Sequence, residues 1–206
     1  MTVAKKRLKG FRNVHFAPVG IGNIKYIPPV RLEGGKKVNI ELKYELEEFE
    51  SDDMIDEQEY IFVGGDGTLV LKSLTPAEYK TLFGNTVNGG EVAIRTTDIS
   101  PNGALLFERQ IRGTREKRLY VVYNTKFAPS AIAAESVGKG GGEIDEELSL
   151  SVGEGEDNLV VFFLDTLNAT PAQKAKIAKW YTEVQFPSAD EVESQVMKVN
   201  TKKKEK

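Results

Sequence analysis

A chain of 206 residues with 40% hydrophobic content can bury one substantial core and has little left for a second, so a single domain is expected. It has no cysteine and one histidine, which excludes disulfides, thiolate nucleophiles and cysteine-bound zinc, and leaves any histidine-based acid–base chemistry to His15 alone. The net charge of −3 conceals a division: residues 1–9 carry four basic groups and no acid, residues 198–206 five basic groups and one acid, and taking these from the totals of 28 and 31 leaves 19 basic against 30 acidic residues in 10–197.

An acidic body repels nucleic acid, because affinity for phosphate backbones rests on lysine and arginine displacing condensed counterions. The basic ends read as solubilising termini, with contact to nucleic acid as the alternative. No run of about 18 apolar residues occurs, so a membrane span is not expected. The basic start has no apolar stretch of the secretory kind.

In chain order, Phe11 to Ala17 reads as a short strand ended by Pro18, with His15 as a structural or surface residue. Tyr26 to Leu32, broken by Pro28-Pro29, reads as an edge strand or extended arm. Val38, Ile40, Leu42, Tyr44 and Leu46 then alternate with Asn39, Glu41, Lys43, Glu45 and Glu47, the period of one long strand with a core face and a wet, mostly acidic face. An acidic loop is expected over Glu48 to Glu59, followed by a return strand at Tyr60-Ile61-Phe62-Val63.

Gly64-Gly65-Asp66-Gly67-Thr68 resembles the phosphate-binding motif of NAD and diacylglycerol kinases. The β-branched, alternating residues that follow it favour a turn joining strand to strand over a loop opening a helix. Thr75-Pro76-Ala77-Glu78 is a capping-box helix start, and Gly84 ends that helix. Asn88-Gly89-Gly90 turns the chain into a strand at Glu91 to Thr97. Ala104 to Ile111 and Leu119 to Phe127 form a hairpin with Arg112, Arg115, Lys117 and Arg118 clustered at its tip. Ala128 to Gly142 lacks phosphate-loop spacing and reads as a flexible connection. Leu148, Leu150 and Val152 alternate with Glu147, Ser149 and Ser151, giving a second strand with one dry face. Asn158 to Asp165 is a buried strand. Thr170-Pro171-Ala172-Gln173 opens the longest helix, expected to reach about Glu183, and the residues after Pro187 are polar and peripheral.

The total is eight or nine strands and two helices, without βαβ alternation. The expected fold class is therefore α+β and β-dominated: antiparallel sheets packed as a sandwich or barrel, flanked by two helices.

Three stretches in this order resemble one family. Lys9-Gly10-Phe11-Arg12-Asn13-Val14-His15-Phe16-Ala17 is similar to the opening of the major tail proteins of long, non-contractile bacteriophage tails. Leu74-Thr75-Pro76-Ala77-Glu78 through Leu82-Phe83-Gly84 resembles their short helix, and Arg118 through Pro129 their late core strand. The resemblance spans residues 9–187. It implies one tail-tube domain over 1–197, with an N-terminal arm at 1–9 and a basic tail at 198–206. It further implies a virion protein, assembled in the bacterial host cytoplasm, whose copies form stacked hexameric rings with an inner β-barrel shared across each ring.

DNA would be ejected through that tube, with a tape-measure protein in the lumen and tail-tip and tail-terminator proteins at its ends. No enzyme activity, cofactor or metal is expected. On this reading Glu41, Lys43, Glu45, Glu47, Asp145, Glu147 and Ser149 line the lumen. Ring-stacking or subunit contacts fall to Glu48, Glu50, Asp52, Asp53, Asp56, Glu57 and Glu59, opposite Lys5, Lys6, Arg7, Arg112, Arg115 and Arg118. The other readings are a monomeric β-sandwich binding module and a nucleotide-dependent kinase using Gly64 to Thr68.

Overall fold

The computed structural model describes residues 7–20, 25–51, 54–129, 132 and 145–188. Over these described residues it is β-dominated, with antiparallel pairing throughout, two α-helices and no closed barrel. The strands are β1 (Leu8–Pro18), β2 (Val30–Arg31), β3 (Lys37–Ser51), β4 (Met54–Leu71), β5 (Thr86–Asn88), β6 (Glu91–Ala93), β7 (Asn102–Ile111), β8 (Lys117–Phe127), β9 (Glu146–Val152) and β10 (Val161–Asp165). The helices are α1 (Pro76–Phe83) and α2 (Pro171–Ala178). One large sheet runs in the order β2-β1-β7-β8-β9-β4-β3, and β5 and β6 form a separate hairpin.

The sheet becomes a sandwich by splitting along β8. Residues Arg118 to Val122 of that strand pair with β10, whereas Thr125 to Phe127 pair with β9. Between the two partners sits Asn124 at φ 43°, a left-handed conformation that asparagine tolerates better than most residues. Its backbone carbonyl accepts from Gly153 N at 3.0 Å, and its side-chain amide donates to Glu154 O at 2.7 Å, so the bend is held from both sides.

Cores form on both faces of β1-β7-β8. Phe16, Leu105, Phe107, Val122 and Phe127 meet Leu69, Leu71, Leu148 and Leu150 of β4 and β9, with Leu82 and Phe83 of α1. On the other face Ala104, Leu106, Leu119, Val121 and Tyr123 pack under Trp180, Ile177 and Phe186. This double burial explains the nearly continuous apolar run of β7.

Both helices start as expected. Thr75 caps α1 in a capping box with Glu78, and Gly84 closes it at φ 71°; Thr170 and Gln173 repeat the box on α2. Glu78 is buried, and one carboxylate oxygen also accepts Glu33 N at 3.0 Å, tying α1 to the segment before β3.

Several expectations need correction. The second helix does not reach Glu183. It ends at Ala178, as long as α1, because the chain tightens into i→i+3 turns (Trp180 N to Ile177 O, Thr182 N to Lys179 O) that carry Trp180 into the core beside Phe162. Of Glu91 to Thr97, only Glu91–Ala93 is strand.

The acidic stretch Glu48 to Glu59 is not a loop over its described residues, 48–51 and 54–59. β3 and β4 continue as one ladder until Ser51 pairs with Met54, so these residues form the distal half of a long hairpin. Gly64 to Thr68 is not a turn either. It lies inside β4, where Lys43 pairs with Gly64 and Tyr44 with Phe62, leaving Val63 as an extra residue in a bulge. Gly64 takes φ 137° there, which only glycine adopts without strain.

Candidate functional site

The surface that stands out is built by β9, β4 and β3. Their dry face is the core; their other face is open. Cross-strand pairing sets its rows: Ser151, Asp66 and Glu41 in one, Ser149, Thr68 and Asn39 in the next, Glu147, Val70 and Lys37 in the third. Directly paired residues share a face, so Glu41, Lys43, Glu147 and Ser149 lie together on this face, all exposed. Asp145 stands one residue before β9, with its carboxylate 2.6 Å from Lys36 Nζ.

The charge of this face differs from expectation. Lys126 pairs with Ser151 and so joins it. Over the body of the sheet Lys37, Lys43 and Lys126 balance Glu41, Asp66 and Glu147. Lys43 is ion-paired with Asp66, and this contact holds its ammonium pKa above the ordinary value. The excess of acid lies farther out, at Glu45, Glu47 and Glu59, which are exposed and form no ion pair among the described residues.

Beyond the bulge the hairpin leaves the body. Eight residues of β3 from Tyr44 to Ser51, at about 3.3 Å each, project roughly 25 Å. The bulge changes the parity of β4, so Phe62 faces Tyr44 and Tyr60 faces Leu46. Without it Val63 and Ile61 would occupy that side. The result is an apolar face that no described residue covers: Tyr44 is 51% exposed, Leu46 42% and Tyr60 70%. Glu45, Glu47, Glu59 and Ile61 take the opposite face. Tyr44 and Leu46, expected to face a core, face solvent. Glu48 accepts a hydrogen bond from Gln58 across the ladder at 2.6 Å. Glu50 and Glu57 fall on paired positions of the two arms and Asp56 within the second; Asp52 and Asp53 lie outside the described residues.

Among the described residues β3 is also the last strand of the sheet, bonded to β4 alone. Its outer edge leaves alternate backbone N–H and C=O groups without a partner among them along 15 residues.

The basic partners expected for the acidic stretch are only partly free. Arg112 and Arg115 are exposed in the β7–β8 turn. Arg118 instead holds Asp165 in a two-pronged ion pair, at 2.6 and 2.7 Å, which raises its pKa further, and it also stacks on Phe163. Arg7 is exposed, with its carbonyl accepting Arg112 N at 2.8 Å. Lys5, Lys6, most of 128–142 and residues 198–206 lie outside the described residues.

Sequence reasoning missed a buried polar cluster on the opposite face. Glu108, with a side chain only 5% exposed, accepts from Lys117 at 2.8 and 3.0 Å and from the Tyr181 hydroxyl at 2.9 Å. Burial pushes its carboxyl up, but hydrogen bonds from Lys117, Asn13 and Tyr181 outweigh it and hold the pKa below the usual value. Tyr181 stacks on His15 at 4.4 Å, and burial lowers the imidazole pKa while raising that of the phenol. Sequence spacing carried no signal for this, because 73 residues separate Glu108 from Tyr181.

No family model and no curated protein matches this chain. Among solved structures, the tube-terminating cap of the anti-feeding prophage aligns over 81% of this chain and all of its own, at 7% identity and a TM-score of 0.42. The sheath–tube complex of an extracellular contractile injection system (PVC, extended state) aligns over 75% of this chain and 89% of its own, at 11% identity and 0.40. These are components of phage-tail-like assemblies. At such scores they are partial likenesses, from which no role is drawn for this chain.

Proposed function

We propose that this chain is a structural subunit of a phage tail tube, assembling with copies of itself into stacked rings around a lumen that DNA traverses, and that it works without catalytic residues. One observation carries the reading: a 15-residue edge strand continues past the core into a hairpin with an uncovered apolar face. In a monomer the unpaired edge and the wet apolar face are both costly. Pairing β3 with a sheet edge of the next copy removes the first cost, and a continuous ring of such pairings is a barrel.

The resemblance of residues 9–187 to major tail proteins agrees with this, and the hexameric ring is taken from that resemblance. The open face of β9-β4-β3 then faces the lumen. Its balanced charges and hydroxyls give passing duplex DNA, with one charge per about 1.7 Å, no cationic patch to adhere to. The acidic hairpin reaches a neighbouring ring or subunit. Gly64 to Thr68 sits in mid-strand, an arrangement that offers phosphate no helix N-terminus.

The test is negative-stain microscopy of the purified protein at increasing concentration, with light scattering for mass. Rings or hollow tubes are expected. A chain that stays monomeric at every concentration, even with a tail-tip complex added as nucleus, refutes the proposal and favours a monomeric binding module.

A further inference from the structure

The split sandwich does not close at its far side. Between β3 on one layer and β7, β8 and β10 on the other lies a cleft of about 460 Å³, walled by Phe11, Ile40, Leu42, Phe107 and Tyr120. Lys36, which is paired with Asp145, and Arg109 also line it. Arg109 forms no ion pair among the described residues. The cleft is thus an unfilled end of the apolar core with one uncompensated positive charge at Arg109.

The hairpin carries the matching chemistry: Tyr44, Leu46 and Tyr60 exposed on one face, Glu45, Glu47 and Glu59 on the other. It does not serve its own cleft. The ladder from Lys43 outward is unbroken apart from the bulge, and it carries Tyr60 away from the stretch of β3 that lines the cleft. We propose that the cleft receives the hairpin of a second copy, with Tyr60 and Leu46 packing between the layers against Ile40 and Leu42 and the glutamates of the hairpin's other face turned toward Arg109 on the opposite layer. This rests on the self-assembly reading and names its receiving surface, which differs from the basic β7–β8 turn. The fit follows from charge complementarity and from area, since aromatic anchors each bury 150–250 Å² or so in a pocket.

Because the chain has no cysteine, cross-linking tests it directly. A Tyr60→Cys copy is mixed with a tagged Val161→Cys copy, Val161 being a cleft residue on β10, and separately with a tagged Arg112→Cys copy, then oxidised and run on a non-reducing gel. The expected result is a heterodimer with Val161→Cys in clear excess over Arg112→Cys. Alongside, Tyr60→Ser is expected to raise the concentration needed for assembly about tenfold or more with little change in melting temperature, because Tyr60 is 70% exposed. Tubes that form without the Val161 cross-link, or with the Arg112 one instead, overturn this proposal and leave the tube reading standing. Absence of both tubes and cross-links overturns the two together.

Discussion

Glu108 offers the sharpest test of how the C-terminal segment is fastened to the sheet. Its carboxylate is buried on β7, Lys117 of β8 provides the cation, and Tyr181, beyond α2, donates from across the layer. Removing the cation by Lys117→Met strands a buried negative charge. For a fully buried pair that costs about 3–5 kcal/mol. The Lys117 side chain is 44% exposed, so water compensates in part and about 2 kcal/mol is expected at neutral pH. Tyr181→Phe removes one hydrogen bond to a charged acceptor, about 1.5 kcal/mol.

The pH dependence has a definite sign. The pKa of Glu108 is lower folded than unfolded, so its contribution is present in full above the unfolded value of about 4.3 and is lost as pH falls through the lower, folded one. The gap between wild type and Lys117→Met therefore narrows under acid, as the stranded carboxylate becomes protonated. Urea denaturation followed by the fluorescence of Trp180, at about pH 7 and about pH 3.5, measures both. A Lys117→Met variant within about 0.5 kcal/mol of wild type, or a gap that does not change with pH, would show that Glu108 is not held as described.

Other expectations follow from the same structure. Thr75→Ala should cost about 1 kcal/mol as a lost cap, and Glu78→Ala more, because it also strands the Glu33 amide; thermal melts would rank them, and the reverse order would refute the tie between α1 and the segment before β3. Gly64→Ala forces a side chain into φ 137° and should cost about 1–3 kcal/mol, with faster amide exchange in the hairpin than in β7; uniform protection would remove the bulge as the parity switch. Leu148→Ala, at a fully buried position, should cost about 2–5 kcal/mol in chemical denaturation. Assembly should weaken as the screening length falls from about 10 Å at 0.1 M salt to about 3 Å at 1 M; turbidity indifferent to salt would eliminate the charge-pairing part of the docking.

What the sequence showed and what it hid divide along a physical line. Strand and cap chemistry is local: the alternation of Val38 to Leu42 and of Leu148 to Val152, and the two Thr-Pro starts, needed no tertiary knowledge and agree with the structure. Three features were decided by what other segments do. Trp180 follows the end of the helix and is buried beside Phe162 of β10. Arg118, one of four cations clustered in sequence, is claimed by Asp165, 47 residues on. And the alternation at Tyr44 and Leu46, which looks like a core face, runs out of core to meet.

That last case bears on function. Period-two alternation says that a strand has two chemically different faces and does not say what covers the dry one. Where the covering layer stops, near Lys43, the pattern persists, and β4 even spends a bulge at Gly64 to keep Phe62 and Tyr60 on the apolar side. If the distal hairpin existed only to connect two strands, polar residues on both faces and a turn near residue 44 would suffice. An alternation kept through Tyr44 and Leu46 with Phe62 and Tyr60 opposite, until Glu48 and Gln58 end it, together with a cleft left open in the same molecule, is what the proposed docking of a second copy would account for.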